Sequence, residues 1–383
     1  MMNEICQWET CTGCSACTET CPKGCIAMIP DGEGFLRPSI EKNLCVSCGL
    51  CQTVCPANNP IQEEGKEPDA YAVRNRDEKI RKVSSSGGVF SALAKRILAQ
   101  GGAVIGAGFD EEYMVIHKVC TSESELDELR RSKYVQSDVH GTYRKTKTIL
   151  QNGETVLFCG TPCQIGGLKA YLGIEYPNLY TADFICHGVP SPGVWKKYLE
   201  YRETEAGASV NGISFRSKAT GWQNYSMEIR FADHSKHCEV VSKDSYLRSF
   251  IMDMDLRPSC YQCQYKQLHR LSDVTLADFW GIERVYKNTM WNDDTGVSLV
   301  MIHSEKGHTL MKAAEVDLEV RPVSLREALA CNPSMTQSVR KPALRERFMK
   351  DLHQLPFDKL HEKYCGTGIA PKIRRTLVGI IRK

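Results

Sequence analysis

The chain has 383 residues, of which 42% are hydrophobic and 25% charged, with a formal net charge of +3. That length suits roughly two or three domains with ample core, and the near-average composition excludes disordered and collagen-like classes. Interspersed charges give no basic field for nucleic acid, and no apolar run reaches the roughly 18–20 residues of a membrane span. The start carries Glu4 and Glu9 without an apolar stretch, unlike a secretory signal, so a cytoplasmic protein is expected.

The first 55 residues hold ten of the 19 cysteines. An odd total without a secretion signal argues against a disulfide framework. Residues 1–60 contain an internal repeat, Cys11-x2-Cys14-x2-Cys17-x3-Cys21-Pro22 and Cys45-x2-Cys48-x2-Cys51-x3-Cys55-Pro56. Between the copies, Ile26–Ile29 and Phe35–Ile40 flank a Pro-Asp-Gly-Glu-Gly turn, which predicts a hairpin. A 4Fe–4S cubane needs one soft thiolate per iron, and this run supplies three from one loop and sends its fourth cysteine to the other cluster. The expected ligand sets are Cys11, Cys14, Cys17 and Cys55 for one cluster, and Cys45, Cys48, Cys51 and Cys21 for the second. A four-cysteine zinc ribbon leaves the repeated third and fourth cysteines unexplained. Cys6 and Cys25 fall outside the pattern and read as buried thiols. Residues 5–58 resemble bacterial-type ferredoxin domains.

A polar stretch, residues 61–69, reads as a linker. Strands are then predicted at Ala70–Arg74, Ala103–Phe109, Val115–Val119, Thr155–Cys159 and Leu179–Cys186. Helices are predicted at Gly88–Ala99, Glu123–Arg130, Tyr143–Gln151, Gln164–Leu172 and Pro192–Glu203. This alternation favours an α/β sheet with partly parallel strands. Further strand-like runs, Ile213–Arg216, Met227–Phe231 and Glu239–Ser242, predict an antiparallel portion, followed by Val274–Ala277 and Val297–His303. The expected fold is thus mixed α and β, a small two-cluster ferredoxin domain (1–60) followed by an α/β core with a mixed sheet (70–320). A C-terminal extension (321–383) ends in the basic stretch Lys372–Lys383, read as a docking helix or a membrane-surface contact.

Beyond the module, Cys260 and Cys263 form a C-x2-C pair, Cys163 lies in Cys-Gly-Thr-Pro-Cys-Gln just after a predicted strand, and Cys186 ends the next predicted strand. Residues at the carboxyl ends of strands in an open α/β sheet face the ligand crevice. Cys163, Cys186, Cys260 and Cys263 therefore read as a third cubane, a zinc site or separate core thiols. Cys159 has no assigned role, and Cys120, Cys238, Cys331 and Cys365 read as structural.

Residues from about Val83 to Ala313 resemble the beta subunits of hydrogenases and dehydrogenases that use the deazaflavin coenzyme (factor 420), a family that includes 7-hydroxymethyl chlorophyll a reductase. The matching motifs are Ser84-Ser-Ser-Gly-Gly88, Ser132-Lys-Tyr-Val-Gln-Ser137, Cys159-Gly-Thr-Pro-Cys-Gln164, Cys186-His-Gly-Val, Cys260-x2-Cys263 and Ser272-Asp-Val-Thr-Leu-Ala-Asp-Phe-Trp-Gly281. The resemblance implies that Cys163, Cys186, Cys260 and Cys263 hold a third 4Fe–4S cluster. It also implies FAD.

The residues alone argue less for a flavin. Ser84, Ser85, Ser86, Gly87 and Gly88 open a predicted helix whose N–H groups suit a pyrophosphate, or form an ordinary serine cap and turn. Neither a G-x-G-x-x-G fingerprint nor a P-loop is present. Lys133 and Tyr134 are candidates for flavin contact, or else a solvent-facing lysine beside a packed tyrosine. No catalytic residue is assigned; Lys133, Tyr134 and His187 are the candidates, with a structural role the default for His187. Asp273 and Asp278, an odd number of residues apart on a predicted strand, would face opposite ways. Trp280 reads as packing.

Clusters carry single electrons and flavin exchanges one or two. The expected function is therefore an oxidoreductase linking a ferredoxin-like or hydrogenase/dehydrogenase donor, through FAD, to deazaflavin or another small organic acceptor, in either direction. The alternatives are an electron-transfer subunit without its own substrate, and a zinc-bearing binding module. A homo-oligomer is possible.

Overall fold

The computed structural model describes residues 4–61, 66–286, 291 and 293–366. The Lys372–Lys383 stretch lies outside them. The N-terminal module is built on an antiparallel hairpin of β1 (Ile26–Pro30) and β2 (Leu36–Ile40). One-turn helices, Ala16–Thr20 and Leu50–Thr53, occur in the two cysteine loops.

The core is an eight-stranded mixed sheet. Its strands are β3 (Asp69–Asn75), β4 (Ala103–Phe109), β5 (Val115–Cys120), β6 (Val156–Cys159), β7 (Leu179–Phe184), β11 (Val274–Asp278), β12 (Ser298–Ile302) and β13 (Leu318–Val323), in the order β13-β3-β12-β11-β7-β6-β4-β5. The centre, β4-β6-β7-β11, is parallel, while β5, β12, β3 and β13 pair antiparallel. Central strands are near-continuous apolar runs, as expected where both faces are covered; Ser298–Ile302 is buried throughout. A separate antiparallel sheet comprises β8 (Val210–Ser217), β9 (Ser226–Phe231) and β10 (Lys236–Val240).

The sequence reading meets three differences. Strand β7 stops at Phe184, because the last ladder bond, Ile185 N–H to the Leu276 carbonyl, lets the chain leave the sheet. Cys186 therefore sits on the loop just past the strand rather than at its end. Helix Glu123–Arg130 shortens to Leu126–Leu129. β10 lies at 236–240 rather than 239–242, on an edge too exposed for its apolar alternation to show. Strand β13 crosses position 320, and helices Arg345–Asp351 and Phe357–Cys365 pack into the aromatic cluster around Trp195, Tyr198 and Tyr246.

The module is seated on the core through its hairpin turn. Gly34 (φ +83°) approaches Gly193 so closely that a Cβ there would fall 2.4 Å from the Gly193 nitrogen; only glycine fits. Ser191 Oγ donates to the Glu33 carbonyl, and the Glu33 carboxylate takes a bidentate pair of bonds from Arg345, 2.7 and 2.5 Å. A second anchor is Glu19, whose buried carboxylate meets Arg144 at 3.2 Å.

Candidate functional site

The expected ligand sets of the module each surround a small cavity. Cys11, Cys14, Cys17 and Cys55 line one of about 20 Å³. Cys21, Cys45, Cys48 and Cys51 line another of about 20 Å³. This is the crossed grouping that the spacing implies, with Cys55 and Cys21 exchanged between copies. Cys6 joins the first cavity and Cys25 the second, with its sulfur 3.4 Å from that of Cys21. The spacing gave no sign of these fifth thiols. Among the described residues, no three His, Cys, Asp or Glu side chains are placed to hold a single metal ion. The thiols ring the two cavities instead.

A third cavity, about 80 Å³, lies where the module meets the core. It is lined by Cys163, Cys186, Cys260 and Cys263 together with Thr10, Thr12 and Ala57 of the module. Each thiol arrives by a different local device. Cys163 is in the first turn of helix Pro162–Leu172, which starts with a capping box between Thr161 and Gln164 and a proline at its first position. Cys186 is held by Lys266, whose ammonium donates to the Cys186, His187 and Ser334 carbonyls. Cys260 Sγ accepts the Val189 N–H at 3.4 Å, and the Cys263 N–H donates to Ser338 Oγ. Burial pushes the Cys186 thiol up to about 11 and that of Cys260 up to about 12; Cys163 is pushed well up by burial and then by the nearness of Cys263. The upward pushes on Cys163, Cys186 and Cys260 are of the kind that cationic charge among them offsets, which cluster iron would supply. The donor set therefore fits a cubane.

A much larger cavity, about 500 Å³, opens along the carboxyl ends of β6 and β7 and shares Cys186, His187, Gly188 and Val189 with the third thiol site. That volume is typical of cofactor pockets. One end is polar and basic, lined by Ser84, Ser85, Ser86, Arg131, Ser132 and Lys133. Ser85 Oγ accepts the Ser132 N–H at 2.7 Å, which ties the two predicted motifs together. Helix Val89–Leu98 starts here with Gly88 and no side-chain cap, so its first-turn N–H groups lack an intrahelical partner. Gly88 lines the cavity and Gly87 does not; the Gly87 N–H is taken by Ser298 Oγ and its carbonyl by the Asn75 N–H.

Lys133 is not solvent-facing. Its ammonium donates to the Arg130 carbonyl at 2.8 Å, and burial pushes it down to about 7. Tyr134 stacks on Phe250 at 4.7 Å and takes a hydrogen bond from Arg216. Arg216 is clamped by Asp278 at 2.7 Å and lies 4.0 Å over the Tyr225 ring. Trp280 stacks on Trp222 at 5.1 Å. The wall continues through Phe250 to His187, 5.1 Å away, whose Nε2 is 2.6 Å from Asp253. Arg216, Tyr225 and Phe250 escaped the sequence reading because each comes from a segment without a motif. Asp273 and Asp278 are apart, as expected: Asp273 binds Thr181 and Ser304, and Asp278 binds Arg216 and Trp222.

Residues 70–142 match the N-terminal part, and residues 153–325 the C-terminal part, of the coenzyme F420 hydrogenase/dehydrogenase beta subunit; residues 10–59 match a 4Fe-4S dicluster domain. The chain is similar to the coenzyme F420-dependent sulfite reductase of Methanocaldococcus jannaschii, 28% identical over 329 residues, which are 82% of this chain and 47% of that protein. It is also similar to one of the subunits of the F(420)H(2) dehydrogenase of Methanosarcina mazei, 22% identical over 172 residues, 42% of this chain and 48% of that protein. The chain thus spans about half the length of these curated relatives. A solved structure of the F420-reducing [NiFe] hydrogenase complex from Methanosarcina barkeri, a xenon derivative, aligns with a TM-score of 0.46 at 17% identity, covering 81% of this chain and 97% of that chain. No helix among the described residues is long and apolar enough to cross a membrane.

Proposed function

Because the chain belongs to the family of coenzyme F420 hydrogenase/dehydrogenase beta subunits and carries a 4Fe–4S ferredoxin-type domain, we propose that it is an FAD-dependent oxidoreductase. It would move electrons between a ferredoxin-like one-electron donor, or a hydrogenase or dehydrogenase partner, and an organic two-electron acceptor. A deazaflavin is the first acceptor to test, since the matched relatives carry that coenzyme in their names. One observation carries the reading: three thiol sites run from the module to the mouth of a single large cavity, the last sharing Cys186 to Val189 with it.

In this reading Cys21, Cys45, Cys48 and Cys51 hold an outer cluster, Cys11, Cys14, Cys17 and Cys55 an inner one, and Cys163, Cys186, Cys260 and Cys263 the core cluster. Clusters supply one-electron transfer and flavin supplies the exchange between one- and two-electron chemistry. The chain's own residues do the rest. Ser84 to Ser86, the Gly88 helix start, Arg131 and Lys133 bind phosphate charge. Tyr134, Arg216, Tyr225 and Trp280 form a rigid wall for a planar ring. Asp278 fixes Arg216, and Lys266 fixes the Cys186 loop.

The test is Cys263→Ala in anaerobically prepared protein. Iron should fall from about twelve to about eight per chain, and flavin reduction by a one-electron donor should be lost while reduction by a small two-electron reagent survives. Unchanged donor-to-flavin transfer with only eight irons would refute the relay. A second reading, an electron-delivering subunit without its own acceptor site, draws on the chain's match to under half of a longer relative. Deazaflavin turnover by the isolated chain decides between the two.

A further inference from the structure

Arg257 is fully buried, yet among the described residues it meets no carboxylate. The other fully buried arginine of comparable size, Arg345, has Glu33. Arg257 donates instead to uncharged acceptors, the carbonyls of Cys11 (2.7 Å) and Leu36 (3.0 Å) and Gln136 Oε1 (2.6 Å). Its fourth partner is the Cys11 sulfur, at 3.5 Å from Nη2. The same side chain lines the core thiol cavity. The cluster loop is shaped to admit it: a Cβ on Gly13 (φ +70°) would fall 2.7 Å from Arg257 Nη1 and 2.6 Å from Gln136 Nε2.

An isolated buried cation is costly, by several kcal/mol after relaxation, so this one calls for anionic charge. A cubane with four thiolate ligands is a net anion that gains one more negative charge on reduction. Two such anions on either side of Arg257, in a low-dielectric interior, would each oppose reduction of the other. A guanidinium between them offsets both effects. The outer set has no equivalent: its cavity is lined by one charged side chain, Lys23, and Cys48 is exposed to solvent.

We propose that Arg257 is an electrostatic bridge between the inner module cluster and the core cluster, a positioning residue that raises the reduction potential of both and so eases the reduction of each beside the negative charge of the other. The proposal rests on the three-cluster reading above. No bond forms or breaks; the one electron that leaves the inner cluster arrives on the core cluster, and the arginine stays protonated throughout.

The experiment is a redox titration of the full chain, prepared anaerobically and followed by electron paramagnetic resonance, with iron counted on the same samples. Arg257→Met should make the inner and core clusters about tenfold harder to reduce, about 59 mV more negative for a one-electron couple, and leave the outer cluster unmoved. Arg257→Lys, which keeps the charge, should recover most of the shift. If Arg257→Met does not fold, Gln136→Glu serves instead, because it sets a carboxylate on the arginine without removing it and should move the same two potentials the same way. Unchanged potentials in the variants with full iron, or an equal shift in the outer cluster, would overturn the bridge. A count of eight irons in the wild type would instead overturn the core-cluster reading, and an inner-cluster shift would still uphold the Arg257 effect.

Discussion

Arg345→Met should unseat the module from the core. Its guanidinium makes two bonds to Glu33 and two to the Leu256 carbonyl, with 2% of the side chain exposed against 17% for Glu33. Removing one partner of such a pair leaves a largely buried charge, a loss of about 3–5 kcal/mol, and the Leu256 carbonyl adds about 1 kcal/mol more. With a urea slope of about 3 kcal/mol per molar, a loss of about 4–6 kcal/mol lowers the unfolding midpoint by about 1.3–2 M. The assay is equilibrium unfolding under anaerobic conditions with tryptophan fluorescence, where Trp8 reports the module and Trp195 the core. Adding Glu33→Met should recover at least half of the loss, since an apolar pair of similar volume is often no less stable than the ion pair. A midpoint within about 0.2 M of wild type for Arg345→Met, or additive losses in the double variant, would refute the seating argument.

Other outcomes are open to measurement. Burial lowers His117 from its ordinary value to about 4, so the unfolded chain binds the extra proton between pH 6.5 and 4; stability falls as pH drops through that window, by up to about 3 kcal/mol from this residue, and stops falling below it. His117→Gln should flatten that part of the urea-midpoint profile, and an unchanged slope would count against the assignment. Lys133→Met should lower the FAD retained through gel filtration severalfold while iron stays constant; equal FAD in both proteins would remove Lys133 from the flavin site. Cys6→Ser and Cys25→Ser should each keep full iron, whereas Cys55→Ala should lose about four. Iron loss in Cys6→Ser equal to that in Cys55→Ala would reverse the ligand assignment.

Much of the candidate site was legible because its parts obey local rules. Four cysteines at fixed spacing announce thiol sets whatever surrounds them, and the crossing of Cys21 and Cys55 follows from the same spacing. Cys163 and Cys186 could be placed together because both follow parallel strands whose ends define one crevice. Arg216, Tyr225, Phe250 and Arg257 were not legible. They come from an antiparallel hairpin, a short helix and a loop, and only tertiary packing aims them at the cavity or the thiols. For Lys133 the sequence left flavin contact and a solvent-facing position both open, because a lysine within Arg-Ser-Lys-Tyr gives no sign that neighbouring carbonyls receive its ammonium. Docking of the module was invisible for a related reason: Gly34 meets Gly193, and Glu33 meets Arg345, across sequence separations that no pattern connects.

The close approach of Gly34 to Gly193 has a consequence for engineering. A foreign ferredoxin grafted in place of residues 1–60 would assemble its own clusters with almost any hairpin turn. It would sit on this core only if that turn carried glycine in a left-handed conformation with a carboxylate just before it. The hairpin turn and the Glu19 contact with Arg144, not the cysteines, therefore fit this ferredoxin domain to its host. A chimera with the right cysteines and the wrong turn should be fully coloured and electrically disconnected.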